Sequence, residues 1–215
     1  VNGVYGTAYQ FDGSDDYIDM GHISSLNFER TDSFALFAWI NKADTSSGFI
    51  VGQYNNTTNK GYDMWALGGG QVRVHLRNTT SYAIRVESPG IISTDTWYYI
   101  GFTYDGSSSA SGVKIYINGV LQTGTLSENN LTTGSIQSTD NKFMIGKRQN
   151  YSSYLFNGSI DDVRVYNRAL TSEEVYRLYD YGKFKHTEPM RITSLSSTIS
   201  SSDENVYDYN FNSLN

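Results

Sequence analysis

Apolar and polar side chains alternate with a period of two along most of the chain, which is typical of β-strands with one buried face. In residues 71–77, Val72, Val74 and Leu76 share one face and the polar side chains share the other. Residues 34–40 form a strongly apolar strand. The remaining predicted strands lie at residues 9–11, 17–20, 97–104, 113–117, 120–121, 142–146 and 160–166.

Turn signals separate these runs and limit them to strand length. The dipeptide Asn118-Gly119 supplies the positive φ angles of a type I′ hairpin, so the strands on either side of it are predicted to pair. Polar clusters typical of turns occur at residues 12–15, 45–48, 105–109 and 124–125. Many short strands with turns between them indicate a β-sandwich or jelly roll.

A helical period occurs once, over residues 171–182. Its first turn carries hydroxyl and acidic side chains, which suit the unpaired N–H groups at a helix N-terminus. Val175, Leu178 and Tyr179 then fall on one face. Gly182 is predicted to end this short C-terminal helix.

The composition changes after Gly182. Residues 183–215 are rich in Ser, Asn and Asp and contain only scattered apolar side chains. We therefore expect a folded domain at residues 1–182 and a polar tail or linker at residues 183–215. A packed strand at residues 206–211 is the alternative.

Composition excludes several classes of protein. The 215 residues carry a formal net charge of −6 and no cysteine, which excludes disulfides and thiolate metal sites. An acidic balance argues against a nucleic-acid partner, and strand-sized apolar runs argue against membrane insertion. Because the sequence begins with Val1 rather than Met, we expect a processed protein or an excerpt of a larger one.

Two segments, residues 11–18 and 156–171, resemble the laminin G-like family of concanavalin A-like lectin/glucanase jelly rolls. They read FDGSDDYI and FNGSIDDVRVYNRALT, and residues 97–100 and 114–120 resemble the central strands of the family in the expected order. The resemblance covers about residues 5–182. It implies an all-β, two-sheet antiparallel jelly-roll sandwich (concanavalin A-like), frequently with one structural calcium ion. Members serve carbohydrate binding, adhesion and accessory roles in extracellular or viral proteins.

Acidic residues at the two ends of the sandwich are candidate calcium ligands, because Ca²⁺ takes oxygen ligands from carboxylates and carbonyls. Asp12, Asp15 and Asp16 lie within five residues. Asp161 and Asp162 alternate on their strand, so only one of them is expected to face a given ion. The family pattern favours Asp161, together with Asp12 and nearby backbone carbonyls, as the Ca²⁺ site. The alternative is that these acids form turns and keep strand edges soluble.

A glycan site is predicted where aromatic faces and planar polar groups share one surface. Arg73 and His75 face away from the apolar side of their strand, and Trp65 shares a face with Asp63 on its own strand. We expect Trp65, Arg73 and His75 to grip an acidic or neutral sugar. The alternative is a Trp65 in the core and a solvated arginine face. A second aromatic candidate consists of Tyr54, Tyr62, Tyr151 and Tyr154.

Catalytic motifs are absent from the sequence. Glucanases of this fold carry a Glu-x-Asp-x-x-Glu strand, and no Glu here stands two residues before an Asp. No Gly-x-Ser-x-Gly elbow and no Gly-rich phosphate loop occurs either. We therefore do not expect an enzyme.

The sequence predicts a non-catalytic carbohydrate-binding or adhesion module of a larger extracellular, cell-surface or virion protein, stabilised by Ca²⁺. Its expected partner is a glycan or a cell surface. The alternative is a structural virion or surface-assembly component, such as a fibre, spike or decoration domain. In that case residues 183–215 would dock on neighbouring subunits.

Overall fold

Two antiparallel sheets form a sandwich in the computed structural model, which describes residues 1–4, 6–79 and 82–185. The six-stranded sheet has the order β1 (Tyr9–Asp12), β13 (Asn157–Tyr166), β3 (Phe34–Lys42), β8 (Trp97–Tyr104), β9 (Val113–Ile117) and β10 (Val120–Leu121). The seven-stranded sheet has the order β11 (Thr125–Asn129), β7 (Ala83–Glu87), β6 (Val72–Arg77), β5 (Lys60–Ala66), β4 (Gly48–Asn55), β12 (Phe143–Ile145) and β2 (Ile18–Asp19). Helix α1 spans Ser172–Lys185. The predicted fold class is confirmed.

The main core lies between the two sheets and follows from the alternation in the sequence. Val72, Val74 and Leu76 of β6 are fully buried on the inner face, as predicted. Leu36 and Phe102 face them from the six-stranded sheet and belong to the same apolar cluster. Burying apolar surface in this way is the dominant favourable contribution to folding.

Strand β3 is apolar on both faces because α1 covers the outer face of its sheet. Phe37 and Trp39 point outward and form a second apolar cluster with Tyr99 and Val175. The Trp39 and Tyr179 rings lie 5.8 Å apart, which ties the helix to the sheet. The outer face of the six-stranded sheet is therefore closed by α1, while that of the seven-stranded sheet carries polar side chains.

The helix runs through Gly182, so the prediction that this glycine ends it is wrong. Gly182 is buried against Trp39, and a Cβ at position 182 would lie 2.7 Å from Trp39 Nε1. The glycine thus permits close packing of the helix on the sheet. Residues 186–215, with most of the predicted tail and the alternative strand at 206–211, lie outside the described residues. In the described part of the chain, no helix is long and apolar enough to cross a membrane.

Candidate functional site

A cavity of about 330 Å³ lies on the outer face of the seven-stranded sheet. The register of β5 and β6 sets Trp65 opposite Arg73 and Asp63 opposite His75. Because directly opposed residues share a face, these side chains project to the same side. Trp65, Arg73 and His75 all line this cavity, so the structure brings the three predicted ligand-binding residues together.

A buried ion pair lies under the cavity. Asp63 is fully buried, and its two carboxylate oxygens accept separate partners: Oδ1 lies 3.0 Å from His75 Nδ1, and Oδ2 lies 3.0 Å from Arg148 Nε. Burial raises the pKa of Asp63, but the charge of Arg148 and the hydrogen bonds from His75 and Arg148 outweigh it and lower that pKa to about 2. The carboxylate therefore stays ionised and holds Arg148 in place.

Both ring nitrogens of His75 have partners inside the protein. Nδ1 faces Asp63, while Nε2 lies 2.7 Å from Arg85 Nε, whose N–H it accepts. This pattern assigns the proton of a neutral ring to Nδ1. Burial lowers the pKa of His75, against the attraction of Asp63. His75 thus positions Arg85 within the cavity wall, and its role in contacting a ligand stays a prediction.

Arginines dominate the wall of the cavity. Arg73 Nε lies 2.8 Å from a Glu87 oxygen, and Arg77 and Arg85 both pair with Glu128, at 3.1 and 2.6 Å. With Arg148, four guanidinium groups line the cavity, and their salt-bridge partners are the three carboxylates of Asp63, Glu87 and Glu128. Salt bridges therefore hold these four guanidinium groups in place before any ligand binds.

Trp65 is packed into the face of the sheet rather than presented to solvent. Only 6% of it is exposed. The Arg148 guanidinium carbon lies 4.7 Å from its ring centroid, and the rings of Phe49 and Tyr154 meet it edge to face at 5.7 and 6.1 Å. The buried alternative for Trp65 matches this environment, so Trp65 supports the floor of the cavity.

Half-buried Tyr151 and exposed Tyr154 provide an aromatic surface in the cavity. Their rings are stacked, with centroids 6.0 Å apart and an interplanar angle of 18°. Tyr154 is 54% exposed and has a φ of +59°, a backbone conformation that is uncommon for a bulky residue and recurs at binding sites. Tyr54 and Tyr62, the other members of the second aromatic candidate, are buried.

A second cavity of about 450 Å³ adjoins the first and shares Arg148 and Tyr151 with it. Lys142 lines it and pairs with Asp19 at 2.6 Å. Lys147 lies 4.5 Å above the ring centroid of Tyr17. Cations and aromatic rings thus continue across the face of the sheet.

Strands β1 and β13 pair side by side, but their register separates the two predicted calcium ligands. Asp12 lies opposite Asn157, four residues from Asp161. Four strand residues of about 3.3 Å each span about 13 Å, whereas calcium ligands lie within about 2.6 Å of the ion. The expectation that Asp12 and Asp161 meet at one ion is therefore wrong.

The two acidic positions differ in burial. Asp12, Asp15 and Asp16 are exposed, with carboxylate oxygens that lie within 4.8 Å of one another. The Ser14 N–H donates to Asp12 Oδ1 at 2.7 Å and lowers the pKa of Asp12, as expected of a turn former. Asp161 is only 3% exposed.

Asp161 lies beneath the N-terminal turn. Its Oδ1 accepts the Asp162 N–H at 2.8 Å. A Cβ at Gly3 would lie 2.5 Å from its Oδ2, so the turn passes directly over that oxygen. Gly3 N–H donates to the Gly6 carbonyl at 3.0 Å and closes the turn. The Asp161 carboxylate is thus enclosed between β13 and this turn.

Arg148, Glu87 and Glu128 are site residues that the alternation in the sequence does not identify. Arg148 comes from a loop and is separated from Asp63 by 85 residues. The Glu128 carboxylate comes from β11, an edge strand with no alternating pattern. The one sequence signal near Arg148 is the pair of tyrosines that follows it, Tyr151 and Tyr154.

Comparisons with known proteins agree with this architecture. A laminin G family model, described as concanavalin A-like lectin/glucanases superfamily, matches residues 12–176. The chain is 25% identical over 167 residues to adhesion G-protein coupled receptor D1 of Homo sapiens. That match covers 77% of this chain and 17% of the receptor, so the chain spans a small part of the length of the relative.

Solved structures share the fold at low sequence identity. The Ruminococcus gnavus IT-sialidase CBM40 bound to α2,3-sialyllactose is 18% identical, with a TM-score of 0.61 over 80% of this chain and 96% of that one. Domain 4 of AbnA, an extracellular arabinanase from Geobacillus stearothermophilus in complex with arabinotriose, is 20% identical, with a TM-score of 0.59 over 83% and 79%. A SAP-like pentraxin from Limulus polyphemus is 16% identical, with a TM-score of 0.56 over 79% and 80%.

Proposed function

Because the chain belongs to the concanavalin A-like lectin/glucanases superfamily, we propose that it is a non-catalytic carbohydrate-binding module. Its glycan site is the cavity on the outer face of the seven-stranded sheet. The observation that carries the proposal is the stacked pair of half-buried Tyr151 and exposed Tyr154, which lines an arginine-rich cavity. Aromatic faces pack against the C–H surface of a sugar, and guanidinium groups donate to its oxygens.

The size of the cavity suits a small glycan. Ligand pockets are typically about 300–1,000 Å³, and this cavity is about 330 Å³. The buried Asp63–Arg148 pair and the His75–Arg85 bond fix the wall before binding. A fixed wall lowers the entropic cost of binding.

Two of the similar structures contain bound sugars, namely α2,3-sialyllactose in the sialidase CBM40 and arabinotriose in the arabinanase domain. These are ligands of those proteins, and identities of 18% and 20% relate them to this chain through the fold alone. They support the proposal because a sandwich of this kind can hold oligosaccharides.

The carboxylates near the cavity support a role without catalysis. A glycosidase needs a carboxylic acid with a raised pKa to protonate the leaving group. The pKa of Asp63 is lowered, and Glu87 and Glu128 are each paired with arginine. Acids in these states serve to orient guanidinium groups.

A Tyr154→Ala variant tests the proposed glycan site. Alanine keeps the left-handed backbone position equally strained and removes only the ring, so we expect glycan affinity to fall at least about tenfold with little change in stability. The measurement is a glycan array followed by calorimetry on the best neutral or acidic oligosaccharide. Tyr176→Ala, at an exposed tyrosine on α1, is the matched control. An array without any bound glycan would falsify the proposal.

We further propose that one structural calcium ion binds at Asp161, with backbone carbonyls of the N-terminal turn as additional ligands. The support is a carboxylate that is 3% exposed and lies directly under Gly3. An ion in this position would fasten the N-terminus to β13. Calcium would supply structural stability and take no part in sugar chemistry.

The calcium response of the melting temperature tests this site. Calcium at about 100 times its dissociation constant should add about 2.7 kcal/mol of stability, and a chelator should remove it. Asp161→Asn should abolish this response, whereas Asp15→Asn in the exposed loop should retain it. A melt that is insensitive to calcium contradicts the proposal, and loss of the response in Asp15→Asn alone assigns the ion to the loop instead.

We also propose that the module belongs to a larger extracellular or cell-surface protein. The match to a short part of an adhesion receptor supports this setting. Detection of the native protein by surface biotinylation of intact cells or in the secreted fraction is the expected result, and retention inside cells would contradict it.

A further inference from the structure

We propose that the cavity on the outer sheet selects sugars that carry a single carboxylate, which the guanidinium group of Arg73 receives. The inference rests on the proposed carbohydrate function and specifies its ligand class. Three features support this ligand class: the net positive charge of the cavity, the terminal nitrogens of Arg73, which are unpaired within the described part of the chain, and the rings of Tyr151 and Tyr154 in the same cavity.

The charge of the cavity has the opposite sign to that of the chain. Four arginines line the cavity against three paired carboxylates, which leaves one positive charge in excess. His75 adds none, because its Nε2 accepts a hydrogen bond from Arg85. The whole chain carries −6. A surplus of one charge matches one carboxylate and does not match a polysulfated chain.

Arg73 is the arginine of this cavity whose two terminal nitrogens are both available to a ligand. Its only hydrogen bond joins Nε to Glu87, so its two terminal nitrogens have no partner among the described residues. Its side chain is 29% exposed, close to the 28% of Arg85 and above the 16% of Arg77 and the 12% of Arg148. The planar fork of arginine matches a carboxylate through two parallel hydrogen bonds.

The neighbouring groups are arranged to hold the rest of such a sugar. Tyr151 and Tyr154 line the same cavity as Arg73 and offer a ring surface for the pyranose. Arg77 and Arg85 share the Glu128 carboxylate, which fixes their orientation on the adjacent strands. The carboxylate of the sugar therefore meets guanidinium groups that salt bridges already hold in place. This favours acidic over neutral sugars.

Binding of α2,3-sialyllactose, lactose and the methyl ester of sialyllactose to the full chain tests the proposal. The ester keeps the shape of the sugar and removes its charge. We expect sialyllactose to bind at least tenfold more tightly than lactose or the ester, and this advantage to shrink between 50 and 500 mM salt because of ionic screening. A glucuronic acid oligosaccharide distinguishes uronic from sialic acids as the source of the carboxylate.

The double variant Arg73→Gln/Glu87→Gln removes the guanidinium group without leaving Glu87 unpaired. It should reduce the preference for the acidic sugar at least tenfold while its melting temperature stays unchanged. Arg177→Gln, at an exposed arginine of α1, should bind as the parent chain does. Arg73→Lys should recover only part of the preference, since lysine lacks the planar fork.

The possible outcomes separate this inference from the proposed function. Equal affinity for acidic and neutral sugars, or an unchanged preference in the double variant, overturns the carboxylate assignment while the carbohydrate function stands. Binding to sulfated glycans alone also overturns it. Failure to bind any glycan in the array overturns both.

Discussion

Among single side chains, Asp63 has the central electrostatic role on the outer sheet, because it is fully buried and holds both His75 and Arg148. Asp63→Asn should lower the free energy of unfolding by about 3 kcal/mol, since removing one partner leaves buried charge uncompensated. Urea denaturation measures this change. Glu173→Gln breaks an exposed pair with Arg177 and should cost less than about 0.5 kcal/mol. Similar losses in the two variants would contradict this role.

The same carboxylate predicts a dependence of stability on pH. The pKa of Asp63 is lowered from 3.8 to about 2 in the folded chain. The unfolded chain therefore binds a proton first as the pH falls, and about 2 kcal/mol of stability is present above pH 4 and lost towards pH 2. Unfolding titrations at several pH values should show this loss in the parent chain. An equally steep loss in Asp63→Asn would assign it to other acids.

Alternation alone predicted that Trp65, Arg73 and His75 share a cavity, because neighbouring strands with a defined inner face must present their other residues outward. It could not predict what covers each side chain. Arg148, which lies 83 positions after Trp65 in the sequence, is brought over the Trp65 ring by a loop. Long-range partners of this kind depend on tertiary structure, which no local pattern encodes.

At the scale of elements, the hairpin between β9 and β10 offers a direct test. Asn118 and Gly119 have φ angles of +51° and +77°, as the predicted type I′ turn requires. Gly119→Ala should destabilise the chain by more than about 1 kcal/mol, because alanine disfavours this φ and its Cβ would lie 3.1 Å from the Tyr179 ring. Thermal unfolding measures the effect.

Gly21→Ala is the matched control for the hairpin. Gly21 has a φ of +70°, but a Cβ there meets no atom within 4 Å. Gly21→Ala should therefore lower the free energy of unfolding only by the cost of the strained backbone, because the new Cβ does not contact α1. An equal effect at both positions would mean that the packing of α1 against the turn adds nothing.

Strand positions were predictable where periodicity or turn chemistry was strong, as in β3, β6, β8 and β9. Strands β4, β7 and β11 were missed. Polar and glycine residues interrupt the pattern of β4 (GFIVGQYN), and β11 (TLSEN) is an exposed edge strand defined only by its pairing with β7. The register of β1 against β13 was equally hidden, since strand pairing alone does not fix which acids lie opposite each other.

At the scale of the whole molecule, the two sheets divide their roles. Helix α1 closes the outer face of the six-stranded sheet, while the outer face of the seven-stranded sheet carries two adjoining cavities of about 330 and 450 Å³. The sequence encodes this difference between the sheets, because β3 is apolar on both faces whereas β6 alternates between apolar and polar residues. A ligand longer than one sugar can therefore extend across the open face.

The adjoining cavities predict that affinity rises with the length of the oligosaccharide. Arg148 and Tyr151 belong to both cavities, so a tri- or tetrasaccharide should bind at least about tenfold more tightly than its terminal monosaccharide, measured by calorimetry. Lys147→Ala in the second cavity should remove this gain and leave monosaccharide affinity unchanged. Lys114→Ala, exposed on β9 of the other sheet, should change neither. Equal affinity for short and long glycans would confine recognition to the cavity that contains Arg73.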